Sequence, residues 1–172
     1  APKARKEFIL EDSKAACLLT TNNSDLLFSL KIPAITIDEE NLRSYPSDPI
    51  KHGEAFTPQN TCYCLYTSGT TGTPKGCEIT HENTVQAMMA FQHLFQGHWQ
   101  KDSRWLQFAA LHFDVSVLEQ YWSWSVGITV VAAPKDLILD DLTGSISKME
   151  ITHIDLTPSL ARLIHPDQLP NL

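Results

Sequence analysis

Residues 66–76 read YTSGTTGTPKG, and the rest of the chain is arranged around this stretch. It contains three glycines, five serine and threonine hydroxyls and one lysine. Glycines allow tight turns that bring backbone N–H groups close to a ligand, and successive N–H groups in such a turn form a concave anion site. Hydroxyls add hydrogen-bond donors, and a lysine supplies a mobile positive charge for phosphate. The stretch therefore predicts a loop that clamps a polyphosphate.

The loop differs from the Walker A pattern G-x-x-x-x-G-K-[ST], because Pro74 precedes Lys75 and Gly76 follows it. The hydroxyl that binds magnesium in Walker A loops is therefore missing. A flexible polar linker is the alternative explanation, but a linker needs neither a lysine nor an apolar strand before it. The predicted nucleotide-binding residues are Thr67, Ser68, Gly69, Thr70, Thr71, Gly72, Thr73 and Lys75.

Apolar and helical patterns alternate along the chain on both sides of this loop. Strands are predicted over 15–20, 34–38, 62–66, 105–110, 128–133 and 151–156, with 62–66 a buried strand and 77–80 a short extended piece. Helices are predicted over 2–14, 25–31, 80–96, 116–124, 139–149 and 157–164, and 39–60 is expected to be mostly loop. The alternation predicts an α/β fold with three layers, a mostly parallel sheet with helices on both faces. We expect residues 1–172 to form a single α/β subdomain that is an excerpt of a larger domain.

Composition indicates a globular protein in the cytoplasm. The 172 residues are 42% hydrophobic and 19% charged, which is ordinary for a soluble domain. A net charge of −7 argues against a nucleic-acid or anionic-membrane surface. The four cysteines lack a C-x-x-C spacing, so we expect reduced thiols rather than a metal site.

The stretch YTSGTTGTPKG resembles the phosphate loop of adenylate-forming enzymes, a family of acyl-CoA ligases, luciferases and adenylation domains of nonribosomal peptide synthetases. The resemblance implies that the loop holds the β- and γ-phosphates of ATP, with Mg²⁺ as cofactor. It also implies that a substrate carboxylate attacks the α-phosphate, and that the products are an acyl-adenylate and pyrophosphate.

Two aspartates lie near or after the ends of predicted strands, at the edge where α/β sheets bind ligands. Asp114 follows the strand over 105–110, and Asp155 lies near the end of the strand over 151–156. Either aspartate could cap a helix. However, Ser116 and Glu119 have the spacing of a capping box, and Thr157 precedes a proline at a helix start. Each aspartate is therefore expected to be available for a ligand.

Residues 113–119 read FDVSVLE, which resembles the FDxSxxE motif of nonribosomal peptide adenylation domains. The resemblance implies that Asp114 binds the α-ammonium of an amino-acid substrate. It further implies that Phe113 borders the region that binds the substrate carboxylate, and that Val115 and Leu118 line the side-chain pocket. A carboxylate in a partly desolvated pocket pairs with an ammonium and rejects an acid that would leave it unpaired.

Residues 154–158 resemble the next part of the family's pocket and put Asp155 at a specificity position. An acidic group there suggests a substrate side chain with a cation or hydrogen-bond donors. The chain is also similar to fungal siderophore synthetases, which implies an ornithine-derived substrate. Preference for large apolar amino acids would contradict this hypothesis.

In the family, the adenine-binding segment, the acidic Mg²⁺ contact, the ribose-binding aspartate and the catalytic lysine follow the region that this chain resembles. We therefore assign no catalytic residue to residues 1–172 and expect the isolated chain to be inactive. The resemblance implies a parent that loads the phosphopantetheine thiol of a carrier domain and works with condensation domains. An acyl-CoA ligase and a non-catalytic nucleotide-binding module remain as alternatives.

Overall fold

The computed structural model describes residues 2–21, 32–51, 53, 55–69, 72–169 and 171–172. The predicted helix over 25–31 and the loop residues Thr70 and Thr71 lie outside these ranges. The chain forms two compact units. The first unit comprises Ala1–Thr57 and Tyr66–Cys77, and the second comprises Pro58–Leu65 and Glu78–Leu172.

The first unit begins with helix α1 (Lys3–Asp12), as predicted. Strands β1 (Leu18–Thr20) and β2 (Ala34–Thr36) pair in parallel, with Leu18 opposite Ala34. Both strands lie inside the predicted segments and are shorter than predicted, which is the usual error at element ends.

A short helix, α2 (Glu39–Arg43), occupies the start of the segment that was predicted to be loop. Asp38 caps it, because its Oδ1 accepts a hydrogen bond from the backbone N–H of Asn41 at 2.7 Å. The described residues after α2, up to 60, form no helix or strand, so the prediction of mostly loop is confirmed, although α2 itself was missed. Five residues are too few for an apolar periodicity to show, so the cap was the sole signal.

Strands β3 (Thr61–Thr67) and β4 (Lys75–Thr80) enclose the phosphate-loop stretch and are neighbours in a two-stranded sheet. β3 lies where a strand was predicted, but its residues are half-buried or exposed, so the prediction of a buried strand was wrong. An apolar run of this length is compatible with either degree of burial, because periodicity alone does not distinguish them.

Helix α3 (His81–Leu94) opens the larger part of the second unit and confirms the helix predicted after Thr80. Oγ1 of Thr80 accepts from the backbone N–H of Asn83 at 3.1 Å. In return, Oδ1 of Asn83 accepts from the backbone N–H of Thr80 at 3.4 Å. This reciprocal capping box satisfies two backbone donors at the helix start.

The second unit is built on a parallel three-stranded sheet. Strand β5 (Arg104–Leu106) lies between β6 (Thr129–Val131) and β7 (His153–Ile154). Trp105 is opposite both Val130 and His153. β6 and β7 fall in the predicted segments, whereas β5 begins one residue before its predicted segment, and all three strands are shorter than predicted.

Helical segments connect these strands, as expected for parallel pairing. Between β5 and β6 lie α4 (Val115–Val117), a π-helical turn (Leu118–Trp122) and α5 (Ser123–Ser125). After β6 come α6 (Lys135–Asp140), α7 (Leu142–Lys148), α8 (Pro158–Ala161) and a 3₁₀ turn (Pro166–Gln168).

The helix predicted over 139–149 is divided into two helices at Asp141. Oδ1 of Asp141 accepts a hydrogen bond from the backbone N–H of Gly144 at 2.9 Å, so Asp141 caps α7. A cap side chain requires a non-helical backbone at its own position, which ends α6 before it. The prediction of one continuous helix was therefore wrong.

Neighbouring residues of β5 belong to two different apolar cores, because side chains alternate along a strand. Trp105 packs in an aromatic cluster with Trp122 and Ile128. Leu106 packs with Ile138 and other aliphatic residues of the second core. Each face of this sheet is therefore covered, and the unit has the helix–sheet–helix layering of an α/β fold.

Candidate functional site

The turn between β3 and β4 contains a position that requires glycine. Gly69 has a φ of +62°, and a Cβ there would lie 2.0 Å from the backbone oxygen of Thr73. Gly72 has a φ of +81°, and its N–H donates to the backbone oxygen of Gly69 at 3.3 Å. The chain therefore reverses tightly at Gly69, which is the backbone geometry that an anion-binding loop needs.

The polar side chains of this turn that the structure describes face solvent. Thr67 and Ser68 at the end of β3 are exposed, as are Thr73 and Lys75 at the start of β4. Cγ of Lys75 lies 3.6 Å from the position that a Cβ on Gly69 would take. The lysine stem thus runs beside the turn, with its ammonium free to reach an anion there.

Two residues of α1 hold the strand that leads into the turn, and sequence reasoning missed both. Nη2 of Arg5 donates to the backbone oxygen of Tyr66 at 3.4 Å. The Tyr66 hydroxyl donates to Oδ2 of Asp12 at 2.6 Å. Both contacts join residues more than fifty positions apart, so no local pattern could have indicated them.

The second unit contains a cavity of about 240 Å³ between α3 and α4, with mostly apolar walls. Asp114, Val115 and Leu118 line it together with Met88 and Phe91 of α3. Asp114 and Leu118 meet there because residues four apart share a helix face. Three of the predicted substrate-binding residues are therefore in one cavity.

Asp114 is the N-cap residue of α4 and its side chain is exposed. Its Oδ1 accepts from the backbone N–H of Val115 at 3.0 Å. This contact to the next residue leaves carboxylate lone pairs available to a ligand, since an ionised carboxylate has about four acceptor sites. A carboxylate at the rim of an apolar cavity is suited to pair with a cationic group.

The capping box predicted from Ser116 and Glu119 is not formed, so that prediction was wrong. Oγ of Ser116 donates to the backbone oxygen of Phe113 at 2.7 Å. Glu119 is 0% exposed and accepts hydrogen bonds from the segment after β5. A tertiary contact thus replaced the local contact that the sequence pattern suggested.

The Glu119 carboxylate fixes the backbone that follows β5. Oε1 accepts from the N–H of Phe108 at 3.1 Å, and Oε2 accepts from Ala109 N–H at 3.0 Å and from Nε2 of Gln107 at 3.2 Å. Burial raises the pKa of Glu119, the hydrogen bonds from Ala109, Phe108 and Gln107 oppose this, and the charge of Asp155 adds to the increase. These contacts join residues ten to twelve positions apart, so the local sequence around Glu119 did not indicate this role.

Phe113 and Asp155 are not among the described residues that line the cavity. Phe113 is 57% exposed, and its ring lies against His112 with the centroids 4.6 Å apart. Asp155 is exposed and is close enough to Glu119 to influence its pKa. Their roles as substrate contacts stay predictions.

The described ranges lack two other features that a sequence of this kind could contain. These ranges contain no group of three or more His, Cys, Asp or Glu side chains that could hold a metal ion. Likewise, no helix among the residues described here is long and apolar enough to cross a bilayer.

Comparison with known sequences gives a family and several relatives. The sequence model of the family described as AMP-binding enzyme matches residues 1–171. The whole chain is 70% identical over 172 residues to nonribosomal peptide synthetase 2 of Gibberella zeae. It is 48% identical over 174 residues to the hydroxamate-type ferrichrome siderophore peptide synthetase of Schizosaccharomyces pombe. The chain spans about 4% of the length of each of these curated relatives.

Solved structures agree with this relationship. O-succinylbenzoate coenzyme A synthetase (MenE) from Bacillus subtilis, in complex with ATP and magnesium ion, is 27% identical with a TM-score of 0.76. The match covers 95% of this chain and 34% of that chain. McyG A-PCP, complexed with phenylalanyl-adenylate, is 19% identical with a TM-score of 0.70. That match covers 88% of this chain and 25% of that chain, and at this identity it supports the fold alone.

These structures confirm the predicted α/β fold class. The family match extends over almost the whole chain and includes both the glycine turn and the Asp114 cavity. The chain belongs to the AMP-binding enzyme family.

Proposed function

We propose that this chain is the part of an amino-acid adenylation domain that holds the substrate ammonium and the ATP phosphates. The parent protein would be a nonribosomal peptide synthetase. It would convert an amino acid and ATP to an aminoacyl-adenylate and pyrophosphate, and then form a thioester on the phosphopantetheine of a carrier domain. Condensation domains of the same synthetase would use that thioester.

The observation that carries this proposal is the cavity whose mostly apolar described walls contain one carboxylate, that of Asp114. An α-amino acid at neutral pH presents an ammonium beside its side chain. The ammonium would pair with Asp114, while the side chain would lie against Val115 and Leu118. An acid without the amine would leave a desolvated carboxylate unpaired, which costs about 1–3 kcal/mol or more. Selection for amino acids follows from this difference.

The glycine turn would hold the β- and γ-phosphates of ATP, with Mg²⁺ as the counter-ion. Backbone N–H groups near Gly69, the hydroxyls of Thr67 and Ser68, and the ammonium of Lys75 are suited to phosphate oxygens. A carboxylate oxygen of the amino acid would form a bond to the α-phosphorus, and the bond to the pyrophosphate oxygen would break. The attacking group is already ionised, so catalysis would depend on alignment and on charge stabilisation at phosphorus.

The substrate class proposed is an ornithine-derived amino acid used in siderophore biosynthesis. One relative, named as the hydroxamate-type ferrichrome siderophore peptide synthetase of Schizosaccharomyces pombe, supports it. The proposal includes a cytoplasmic location.

The similarity to o-succinylbenzoate CoA synthetase makes a CoA ligase the second candidate. Amino-acid-dependent exchange of pyrophosphate into ATP, measured on the intact adenylation domain, distinguishes the two. The proposal expects exchange with amino acids and loss of more than about tenfold in kcat/KM in Asp114→Ala, because the ammonium loses its partner. The isolated residues 1–172 should give no exchange.

Asp102→Ala is a matched control, since Asp102 is an exposed aspartate that does not line the cavity. The rate of exchange in Asp102→Ala should be within about twofold of that in the unsubstituted adenylation domain, as is usual for surface substitutions. Equal activity on the des-amino acids, or an Asp114→Ala variant as active as the control, would favour the CoA ligase.

A further inference from the structure

Tyr66, the residue before the phosphate-loop hydroxyls, is held by α1 at two places. Nη2 of Arg5 donates to the backbone oxygen of Tyr66, and the Tyr66 hydroxyl donates to Oδ2 of Asp12. Arg5 and Asp12 are seven residues apart, which puts them on one face of the helix and about 10 Å apart along its axis. Tyr66 therefore lies along α1, with its backbone bound near one end and its side chain near the other.

The position of Asp12 is unfavourable for the helix alone. Asp12 is the last residue of α1, where the partial negative charge of the final carbonyl groups disfavours a carboxylate. Among the described residues no salt bridge includes Asp12. The distance of 2.6 Å between the Tyr66 hydroxyl and Asp12 is typical of a charge-assisted hydrogen bond, which is stronger than one between neutral groups. The contact with Tyr66 therefore accounts for a carboxylate at this helix end.

The end of α1 is itself fixed by two backbone hydrogen bonds. The N–H of Lys14 donates to the oxygen of Glu11 at 3.1 Å, and the N–H of Ala15 donates to the oxygen of Leu10 at 3.2 Å. This pair of contacts is a Schellman motif, in which the residue with positive φ is usually glycine. Here it is Lys14, with a φ of +51°. The motif fixes the last turn of the helix and with it the backbone position of Asp12.

The contacts to Tyr66 determine where the glycine turn begins. The peptide unit between Tyr66 and Thr67 is planar, so a bond to its oxygen orients the whole unit. Ser68 comes next, and Gly69, with a φ of +62°, makes the tight reversal. These residues, Lys75 and α1 all belong to the first unit. Helix α1 therefore holds the backbone that leads directly into the predicted phosphate-binding residues.

We propose that Arg5 and Asp12 are positioning residues for the nucleotide, which act through Tyr66 and hold the glycine turn in the arrangement that binds the phosphates of MgATP. This inference rests on the proposed function, because that function assigns the phosphates to this turn. If only a fraction of the molecules has the binding arrangement, the apparent dissociation constant rises by the inverse of that fraction. Loss of the Asp12 contact should therefore raise KM for MgATP.

The amino-acid site provides an internal reference. All described walls of the cavity that contains Asp114 belong to the second unit, whereas Asp12 and Tyr66 belong to the first. A change at Asp12 should therefore leave KM for the amino acid unaltered. A variant that only folded less well would lower kcat and leave both KM values unchanged, so the two explanations differ in their kinetics.

The test measures ATP–pyrophosphate exchange by the intact adenylation domain, with MgATP and the amino acid varied in turn. Asp12→Ala and Tyr66→Phe should each raise KM for MgATP by about fivefold or more and KM for the amino acid by less than about twofold. Asp12→Asn should stay within about twofold of the unsubstituted domain, because an amide oxygen can still accept from the hydroxyl.

The double variant Asp12→Ala/Tyr66→Phe tests whether the two groups act through their mutual contact. That contact can be lost only once, so KM for MgATP in the double variant should be within about twofold of that in either single variant. Independent effects would instead multiply to about 25-fold, and this result would overturn the inference.

Two variants serve as matched controls. Glu11→Ala removes an exposed carboxylate from the same end of α1. Tyr45→Phe removes the hydroxyl of a tyrosine that is 56% exposed in the same unit as Tyr66. Each should leave KM for MgATP within about twofold. Equal KM values in Asp12→Ala and Glu11→Ala would overturn the inference while leaving the proposed function in place. Absence of exchange with every amino acid in the unsubstituted domain would instead refute the proposed function.

A second measurement does not depend on the reaction. Trypsin cleaves after Lys75, beside the glycine turn, and after Lys101, which is exposed in the second unit. Local opening of the turn favours the first cleavage, and peptide mass spectrometry gives the ratio of the two rates. Asp12→Ala should raise the rate after Lys75 relative to that after Lys101 by more than about threefold, and Glu11→Ala should not. Equal ratios in these two variants would overturn the inference.

Discussion

The carboxylate of Glu119 accepts two contacts from the backbone N–H of Ala109, at 3.1 and 3.0 Å. Glu119 is fully buried, and Ala109 belongs to the segment between β5 and Asp114. This contact joins the helix that carries Val115 and Leu118 to the backbone that precedes Asp114. The geometry of the candidate substrate cavity therefore depends on a side chain that does not line it.

Glu119→Ala should destabilise the domain by about 2–4 kcal/mol, because the buried N–H groups of Phe108 and Ala109 lose their acceptor. Glu119→Gln should lower the free energy of unfolding by a smaller amount, since the amide oxygen of glutamine can still accept hydrogen bonds from both N–H groups. Chemical denaturation of the intact domain measures the free energy of unfolding. Glu11→Ala, on an exposed face of α1, is the control and should be within about 0.5 kcal/mol of the parent. A Glu119→Ala variant as stable as this control would refute the role.

The stability of the parent relative to Glu119→Gln should depend on pH. Burial raises the pKa of Glu119 in the folded state, so the folded protein binds the proton more tightly than the unfolded chain does. The stabilising contribution is fully present below the ordinary glutamate pKa of about 4.3 and is lost as pH rises through the higher folded pKa. Denaturation across this window should therefore show the parent losing stability relative to the variant. If the stability of the unsubstituted domain relative to Glu119→Gln were constant or increased with pH, the pKa of Glu119 would not be raised in the folded state.

Gly69→Ala should weaken the use of MgATP far more than Gly72→Ala. Both glycines have positive φ, so each alanine has a backbone cost of about 1–2 kcal/mol. At Gly69 the new Cβ would also lie 2.0 Å from the Thr73 oxygen, whereas nothing lies within 4 Å at Gly72. The expected result is a kcat/KM for MgATP at least about tenfold lower in Gly69→Ala than in Gly72→Ala. Equal values would show that the tight turn at Gly69 is not what the reaction needs.

Asp155→Asn should change which amino acid is preferred without changing the requirement for an α-amine. This follows from the prediction that Asp155 contacts the substrate side chain while Asp114 contacts the ammonium. Exchange assays with N5-acetylornithine, ornithine and norleucine should show the ratio between polar and apolar side chains falling by about threefold or more. Exchange with des-amino acids should stay absent. An unchanged ratio would remove Asp155 from the specificity positions.

Several elements could be predicted from the sequence because their signals are local. The Thr80 cap and the apolar face of α3 gave the correct helix, and the three strands of the larger unit overlap the predicted segments. The signal of α2 was too short to detect, and the cap at Asp141 divides a helical pattern that looks continuous. The residues at which these helices begin and end depend on which caps form in the folded chain.

The sequence predicted the types of residue in the candidate site but not the residues that hold them in position. Glycines, hydroxyls and a lysine in this order predict a phosphate loop, and the resemblance of FDVSVLE predicts that Asp114 contacts the substrate; both stay predictions. The roles of Arg5, Asp12 and Glu119 come from long-range contacts, which a local pattern does not contain. For Glu119 the local pattern predicted a capping box with Ser116, but the carboxylate instead accepts hydrogen bonds from the backbone of Phe108 and Ala109.

The π-helical turn at Leu118–Trp122 limits how this region can vary in length. The helical segment has Asp114 at its start, Glu119 in the middle and buried Trp122 near its end. Removal of one residue from the turn would rotate Trp122 by about 100° relative to Asp114. Either the indole would leave its aromatic cluster or the carboxylate would leave its cavity. Attempts to transplant a new specificity into this domain should therefore exchange side chains at constant length and graft insertions elsewhere.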